Sequence, residues 1–202
     1  MRHCGKTTLA RAIYRGLMDA HPEAVGYVLD SNASGDFSGW SGGYFGYDCP
    51  IIAPSRTGRQ VVWQPPRDNY DAYEDFFRKL YDARVPAVVL IDELSCLGGG
   101  ERHDYYARVL KRGRQRPNFP GITVINLSQE LAQRARVPRQ TFTQMNHFFR
   151  FYIQHPYDAL EANRILHLPG RIQPEHEHGF WHARMDRPPL KPTYYRGMEM
   201  VF

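Results

Sequence analysis

Apolar positions along the chain follow two alternating rhythms. Leu9, Ile13, Leu17 and Ala20 recur at three- and four-residue intervals, which predicts an amphipathic helix over residues 7–20. His21-Pro22 ends it, because a residue preceding proline is disfavoured in the α region. Residues 24–30 (AVGYVLD) then run apolar without a break and close on an acid, the pattern of a buried strand. Residues 60–63 predict a short strand. After Pro65-Pro66, the stripe Tyr73, Phe76, Phe77 and Leu80 predicts a second helix over 70–83.

Residues 86–92 (PAVVLID) are continuously apolar up to a terminal acid, as in a central parallel strand covered on both faces. A basic helix over 105–116 follows, then a buried strand over 121–128, a strand over 147–153 and a helix over 156–166. Strands alternating with helices predict an α/β fold, with a mainly parallel central sheet flanked by helices. Two stretches lack either rhythm. Residues 31–47 are rich in Gly and Ser and predict a long loop. From Pro169 onward Pro, His, Arg and aromatic residues dominate, which predicts an extended C-terminal arm (169–202) with a short edge strand near 180–183, following a domain over 1–168.

Composition narrows the class. With 202 residues, 42% hydrophobic and 23% charged, the chain suits one soluble domain with a sizeable core and excludes disorder over most of its length. A net charge of +5 permits a nucleic-acid partner without requiring one. Cys4, Cys49 and Cys96 are scattered, with no CxxC pair, so neither a disulfide framework nor a zinc site is expected and a reducing compartment is. No run approaches the roughly 20 apolar residues of a membrane span, and the basic N-terminus lacks an apolar core of the signal-peptide kind. The expected location is cytoplasmic.

Against this background three features carry chemistry. Cys4-Gly5-Lys6-Thr7-Thr8 opens the first helix and matches the end of GxxxxGK[ST]. Amides at such a helix start can hold phosphates, Lys6 would reach the β and γ oxygens, and the Thr7 hydroxyl would ligate Mg2+. The first glycine of that motif would fall one place before Met1, and the strand that normally leads into the loop is missing from the sequence. The simplest account is a start assigned too late or a truncated chain. Upstream codons encoding an apolar strand and a glycine would restore the enzyme reading, and a stop codon there would favour a subunit without turnover.

The second feature is Val88-Val89-Leu90-Ile91-Asp92-Glu93, four apolar residues and two acids, similar to a Walker B strand. Asp92 would orient Mg2+ and Glu93 would act as general base toward water. A buried strand leaving into solvent can also end in two acids. The GKT upstream separates the two readings. Third, Gln129 follows a strand ending at Ser128, where a polar amide can sense a γ-phosphate; alone, the pair reads as a helix N-cap and its neighbour.

Taken in order, these motifs, the Arg112-Gly113-Arg114 of the basic helix, the Ser128-Gln129 strand end and a downstream Pro156-Tyr157-Asp158 resemble the FtsK/HerA superfamily of P-loop ATPases. The block VLKRGRQRPNFPGITVINLSQELAQRARVPRQTF is similar to that superfamily's RGR, strand, Ser/Thr-Gln and VPR series, and the compact size resembles viral genome-packaging ATPases.

The resemblance implies a RecA-like fold in which Cys4 to Thr8 bind ATP, Thr7 and Asp92 hold Mg2+, and Glu93 and Gln129 serve hydrolysis. It also implies an arginine finger from a neighbouring subunit, with Arg112 and Arg114 the candidates and Arg139 behind them. Its further implications are a homo-oligomeric ring, hexameric or pentameric, and DNA held through its backbone by residues 34–46 (with Trp40 and Tyr44) or 98–103. Contacts with capsid or membrane vertex proteins and a place in host cytoplasm or virion complete the picture. Two other readings stay open. One is a zonular-occludens-toxin-like phage assembly ATPase, a group that usually carries a membrane span; the other is a P-loop-derived subunit without turnover. Finally, Glu175, His176, Glu177, His178 and His182 lack HExxH spacing and read as a surface arm or subunit contact rather than a metal site.

Overall fold

The structure, a computed structural model, describes residues 5–31, 37, 40, 43–45, 49, 60–65, 69–97, 104–112, 121–128, 141, 144–170, 172–176, 178–187 and 189–196. In chain order the elements are α1 (Lys6–Ala20), β1 (Val25–Leu29), β2 (Gly43–Phe45), β3 (Gln60–Gln64), α2 (Tyr70–Ala83) and β4 (Ala87–Ile91). A 3-10 turn (Leu94–Leu97), α3 (Asp104–Arg112), β5 (Ile122–Asn126), β6 (His147–Arg150), α4 (Pro156–Ile165), β7 (Phe180–Arg184) and β8 (Thr193–Tyr195) follow.

Five strands form a parallel sheet in the order β2-β3-β1-β4-β5. Every residue of β1 and β4 is buried, which the uninterrupted apolar runs require of strands sandwiched between helices. On one face, α2 and α3 cover Tyr27, Trp63, Val89 and Ile91 with Phe76, Phe77, Leu80 and Tyr106. All four predicted stripe residues of α2 are buried there. Asn69 caps α2 by accepting from the Ala72 amide at 3.3 Å. β2 corrects the long loop expected over 31–47: it pairs parallel with β3, Tyr44 opposite Trp63. Three residues between Gly- and Ser-rich flanks are too few to show a period.

α1 covers the other face, and it touches two surfaces. Ala10, Tyr14, Leu17 and Met18 pack on Val28, Val62, Val88 and Leu90 of the parallel sheet. Leu9 and Ile13 pack on Phe149, Phe151 and Phe180, which belong to or adjoin a second, antiparallel sheet of order β6-β7-β8. The expected stripe of Leu9, Ile13, Leu17 and Ala20 is therefore corrected. Ala20 is exposed, while Ala10 and Tyr14 are buried, because the helix is wedged between sheets and needs two adjoining apolar faces. β7 sits between β6 and β8, so the second sheet joins residues from both sides of position 168.

Gly26, in the middle of β1, makes room for this wedge. A Cβ there would come within 1.9 Å of the Tyr14 hydroxyl. That hydroxyl is buried with no hydrogen-bond partner among the described residues, and burial pushes its pKa above the usual phenol range. Tyr14→Phe should therefore raise stability by about 1 kcal/mol, because an unsatisfied buried polar atom is removed with no loss of shape. Chemical denaturation checks this, and a loss of stability would show a partner for the hydroxyl.

Candidate functional site

In a parallel sheet all strands deliver their C-terminal residues to one edge, and ligands of open α/β sheets bind outside that edge. Here it carries Asp30 after β1, Gln64 at the end of β3, Asp92 and Glu93 after β4, and Leu127 and Ser128 after β5. Backbone bonds extend the ladder one step beyond the strands. Asp30 N donates to Trp63 O at 2.9 Å, Asp92 N to Leu29 O at 3.1 Å, and Leu127 N to Ile91 O at 2.9 Å. Leu94 N then donates to Leu127 O at 2.7 Å, which pins Asp92 and Glu93 between two anchored residues.

α1 begins at the same edge. Lys6 Nζ donates to Ser128 O at 3.4 Å, and Ser128 Oγ donates to Glu93 Oε1 at 3.3 Å. One serine thus links the lysine of GKT to the second acid of the Walker B-like strand, across 122 residues of sequence. Glu93 is only 7% exposed, so its carboxylate works where bulk water is scarce. Beside it, Asp30 is buried and accepts from Gln64 Nε2 at 2.9 Å, and Tyr73 donates its hydroxyl to Ser31 Oγ at 2.8 Å. These bonds stiffen the neighbouring strand ends.

The start of α1 differs from that of α3. Glu74, on α2, accepts from the amides of Tyr105 and Tyr106 at 2.8 and 3.2 Å and so caps α3 with a carboxylate. Gly5 at the N-cap offers α1 no side-chain cap, and the first turn holds no acid. Gly5 stands at its N-cap with φ of 87°, a left-handed conformation natural to glycine. The partial positive charge at such a helix start favours an anion.

No family model matches the sequence, and no curated protein matches it. Solved structures do match. The genome packaging NTPase B204 from Sulfolobus turreted icosahedral virus 2 in complex with sulfate aligns with a TM-score of 0.66 at 16% identity, over 98% of this chain and 92% of that one. Its complex with AMPPCP gives 0.67 at 16% identity, over 96% and 93%. Its complex with ATP-gammaS gives 0.65 at 16% identity, over 97% and 93%.

The fold is that of B204. The expected α/β architecture, a mainly parallel sheet flanked by helices, holds over nearly the whole length of both chains. Within this B204-like frame, Gly5, Lys6, Thr7 and Thr8 form the cap and first turn of α1, with Lys6 and Thr7 half-buried and Thr8 exposed. Asp92 and Glu93 lie at the sheet edge with them. Arg112 is the last residue of α3. Cys4, Arg114, Gln129, Arg139 and the segment 98–103 lie outside the described residues.

Trp40, expected on a DNA-contacting loop, packs on Tyr14 and Phe37 with ring centroids 5.3 and 5.4 Å away, and Arg11 and Arg15 lie over it. The indole is half-buried and packs against α1. Sequence reasoning missed the bridging role of Ser128; its hydroxyl at the end of an apolar run was visible, but only the fold shows that Lys6 and Glu93 meet there.

Oxygen donors dominate the sheet edge. The Thr7 hydroxyl and the Asp92 carboxylate suit a hard cation such as Mg2+. Of the histidines, His176 Nδ1 and Tyr194 Oη are 3.1 Å apart, while His182 stands beside His147 on the second sheet. No group of three metal-ligating side chains comes together among the described residues. Likewise, no helix among them is long and apolar enough to cross a membrane.

Proposed function

We propose that this chain is an ATP-hydrolysing DNA translocase, a viral genome-packaging ATPase acting as a homo-oligomeric ring of five or six subunits. One observation carries the reading: Lys6 at the start of α1 and Glu93 at the end of β4 are both anchored on Ser128, at the C-terminal edge of a parallel sheet. The fold match supports it, since B204 is described as a DNA-packaging ATPase and in complex with ATP-gammaS and AMPPCP.

In this reading the amides of Gly5 to Thr8 and the Lys6 ammonium hold the β- and γ-phosphates of ATP. Thr7 and Asp92 hold Mg2+, which neutralises phosphate charge when bound. Glu93 takes the proton of the attacking water, and Gln129 orients that water. Arg112 or Arg114 of the adjacent subunit, with Arg139 behind them, stabilises the charge that develops on the transferred phosphoryl. DNA is contacted through its backbone, as suits a motor indifferent to sequence. Capsid or membrane vertex proteins are the further partners, and the host cytoplasm or the virion is the place of action.

The test is ATP turnover by the purified chain with and without duplex DNA. The expected result is Mg2+-dependent hydrolysis that DNA accelerates several-fold, from a ring-sized particle. Turnover indifferent to DNA would count against translocation, and its absence in a chain that binds ATP would count against a motor.

A further inference from the structure

The second sheet presents one face in two different ways. Cross-strand partners in an antiparallel sheet point to the same side, so Phe149, His182 and Thr193 share a face with the pairs His147–Arg184 and Phe180–Tyr195. At one end of it, Phe180 and the adjoining Phe151 are buried against Leu9 of α1. Toward the other end apolar packing gives way to rings and cations. His182 stacks on Phe149 with centroids 4.4 Å apart and planes 9° from parallel, and lies 5.3 Å and 7° from His147. Tyr195 stacks on Phe180 at 5.0 Å and is 38% exposed.

This outer end opens into a concavity of about 460 Å³ lined by His182, Arg184, Arg187, Lys191, Thr193 and Tyr195, with Pro189 at its rim. Between His182 and Arg196 the sequence holds four cations, Arg184, Arg187, Lys191 and Arg196, against one acid. That acid, Asp186, is taken by Arg184, whose Nη2 and Nε donate to it at 2.8 and 3.2 Å. Arg187 and Lys191 are exposed at the mouth. The charge pattern is that of a receptor for a polyanion, and the stacked rings give it a firm floor.

We propose that this concavity is a DNA-backbone contact, in which Arg187 and Lys191 neutralise phosphates while His182 and Tyr195 form the wall against which the sugar-phosphate chain lies. Cations spaced around an open cleft and backed by aromatic rings fit a phosphodiester chain, which offers charge at regular intervals and apolar sugar between. The choice of DNA rests on the packaging reading; the location rests on the sheet alone. It also places the contact on the sheet that packs against α1, the helix whose start carries Lys6.

The expected behaviour follows from counterion release. Each phosphate contact contributes about 0.9 to the slope of log affinity against log salt for duplex DNA. The measurement is fluorescence anisotropy of a labelled duplex of arbitrary sequence, titrated with the chain between about 50 and 200 mM salt, the span over which such contacts are read. Arg187→Gln/Lys191→Gln should weaken binding by roughly 50-fold at about 0.1 M salt and lower the slope by about two. The exchanged pair Arg187→Lys/Lys191→Arg should keep the wild-type slope.

A charge-matched control, Arg78→Gln/Arg164→Gln on α2 and α4, should change neither. Unchanged affinity and slope in the first variant, or an equal loss in the control, would overturn the site while leaving the packaging reading intact. Failure of the wild-type chain to bind duplex DNA at all would remove both.

Discussion

Glu93→Gln is expected to lower ATP turnover by about 10²- to 10⁴-fold, the usual contribution of a positioned general base, while nucleotide binding persists. The substitution is nearly isosteric, and the amide oxygen can still accept from Ser128 Oγ, the bond that now spans 3.3 Å. The Leu94–Leu127 backbone bond at 2.7 Å holds the following residue regardless of the side chain at 93. Geometry at the sheet edge is thus retained and only the ability to take a proton is lost. Phosphate release under saturating ATP, beside a binding titration, measures the two separately. Turnover within ten-fold of wild type would remove Glu93 as the base.

For stability, the largest single effect is expected at Phe76, whose replacement by alanine should cost about 3–5 kcal/mol. The side chain is 1% exposed. Its ring lies 5.3 Å from Tyr27 on β1, 5.5 Å from Trp63 on β3 and 5.1 Å from Phe77 on its own helix. Truncation would open a cavity lined by three aromatic rings that cannot collapse without moving two central strands. For a domain of this size the midpoint of thermal unfolding should fall by roughly 10 °C. A loss below about 1 kcal/mol would show that α2 is not clamped to the sheet as described.

The sheet, its helices and the order of its motifs were legible because each rests on a local signal. Residues 86–92 had to be a covered strand, and Tyr73, Phe76, Phe77 and Leu80 had to be one face of a helix. What escaped depends on long-range contacts. β2 is visible only through its pairing with β3, and Tyr14 is buried because α1 meets two sheets, which no single periodicity announces. In the site, GKT and the two acids announced themselves by residue type and spacing. Ser128 acquires its role only when β5 comes to lie beside β4, since its carbonyl and hydroxyl meet partners 122 and 35 residues away. The basic concavity was equally hidden, because Arg184, Lys191 and Tyr195 converge only when β7 and β8 pair.

A triphosphate should be held jointly by the start of α1 and the acids at the end of β4. Titration calorimetry of ATP-gammaS with Mg2+ into the wild-type chain and into Lys6→Ala tests this most directly. A charged hydrogen bond to phosphate contributes about 1.5–3 kcal/mol, so the variant should bind roughly ten- to hundred-fold more weakly. Equal affinity in the two proteins would mean that the nucleotide sits elsewhere.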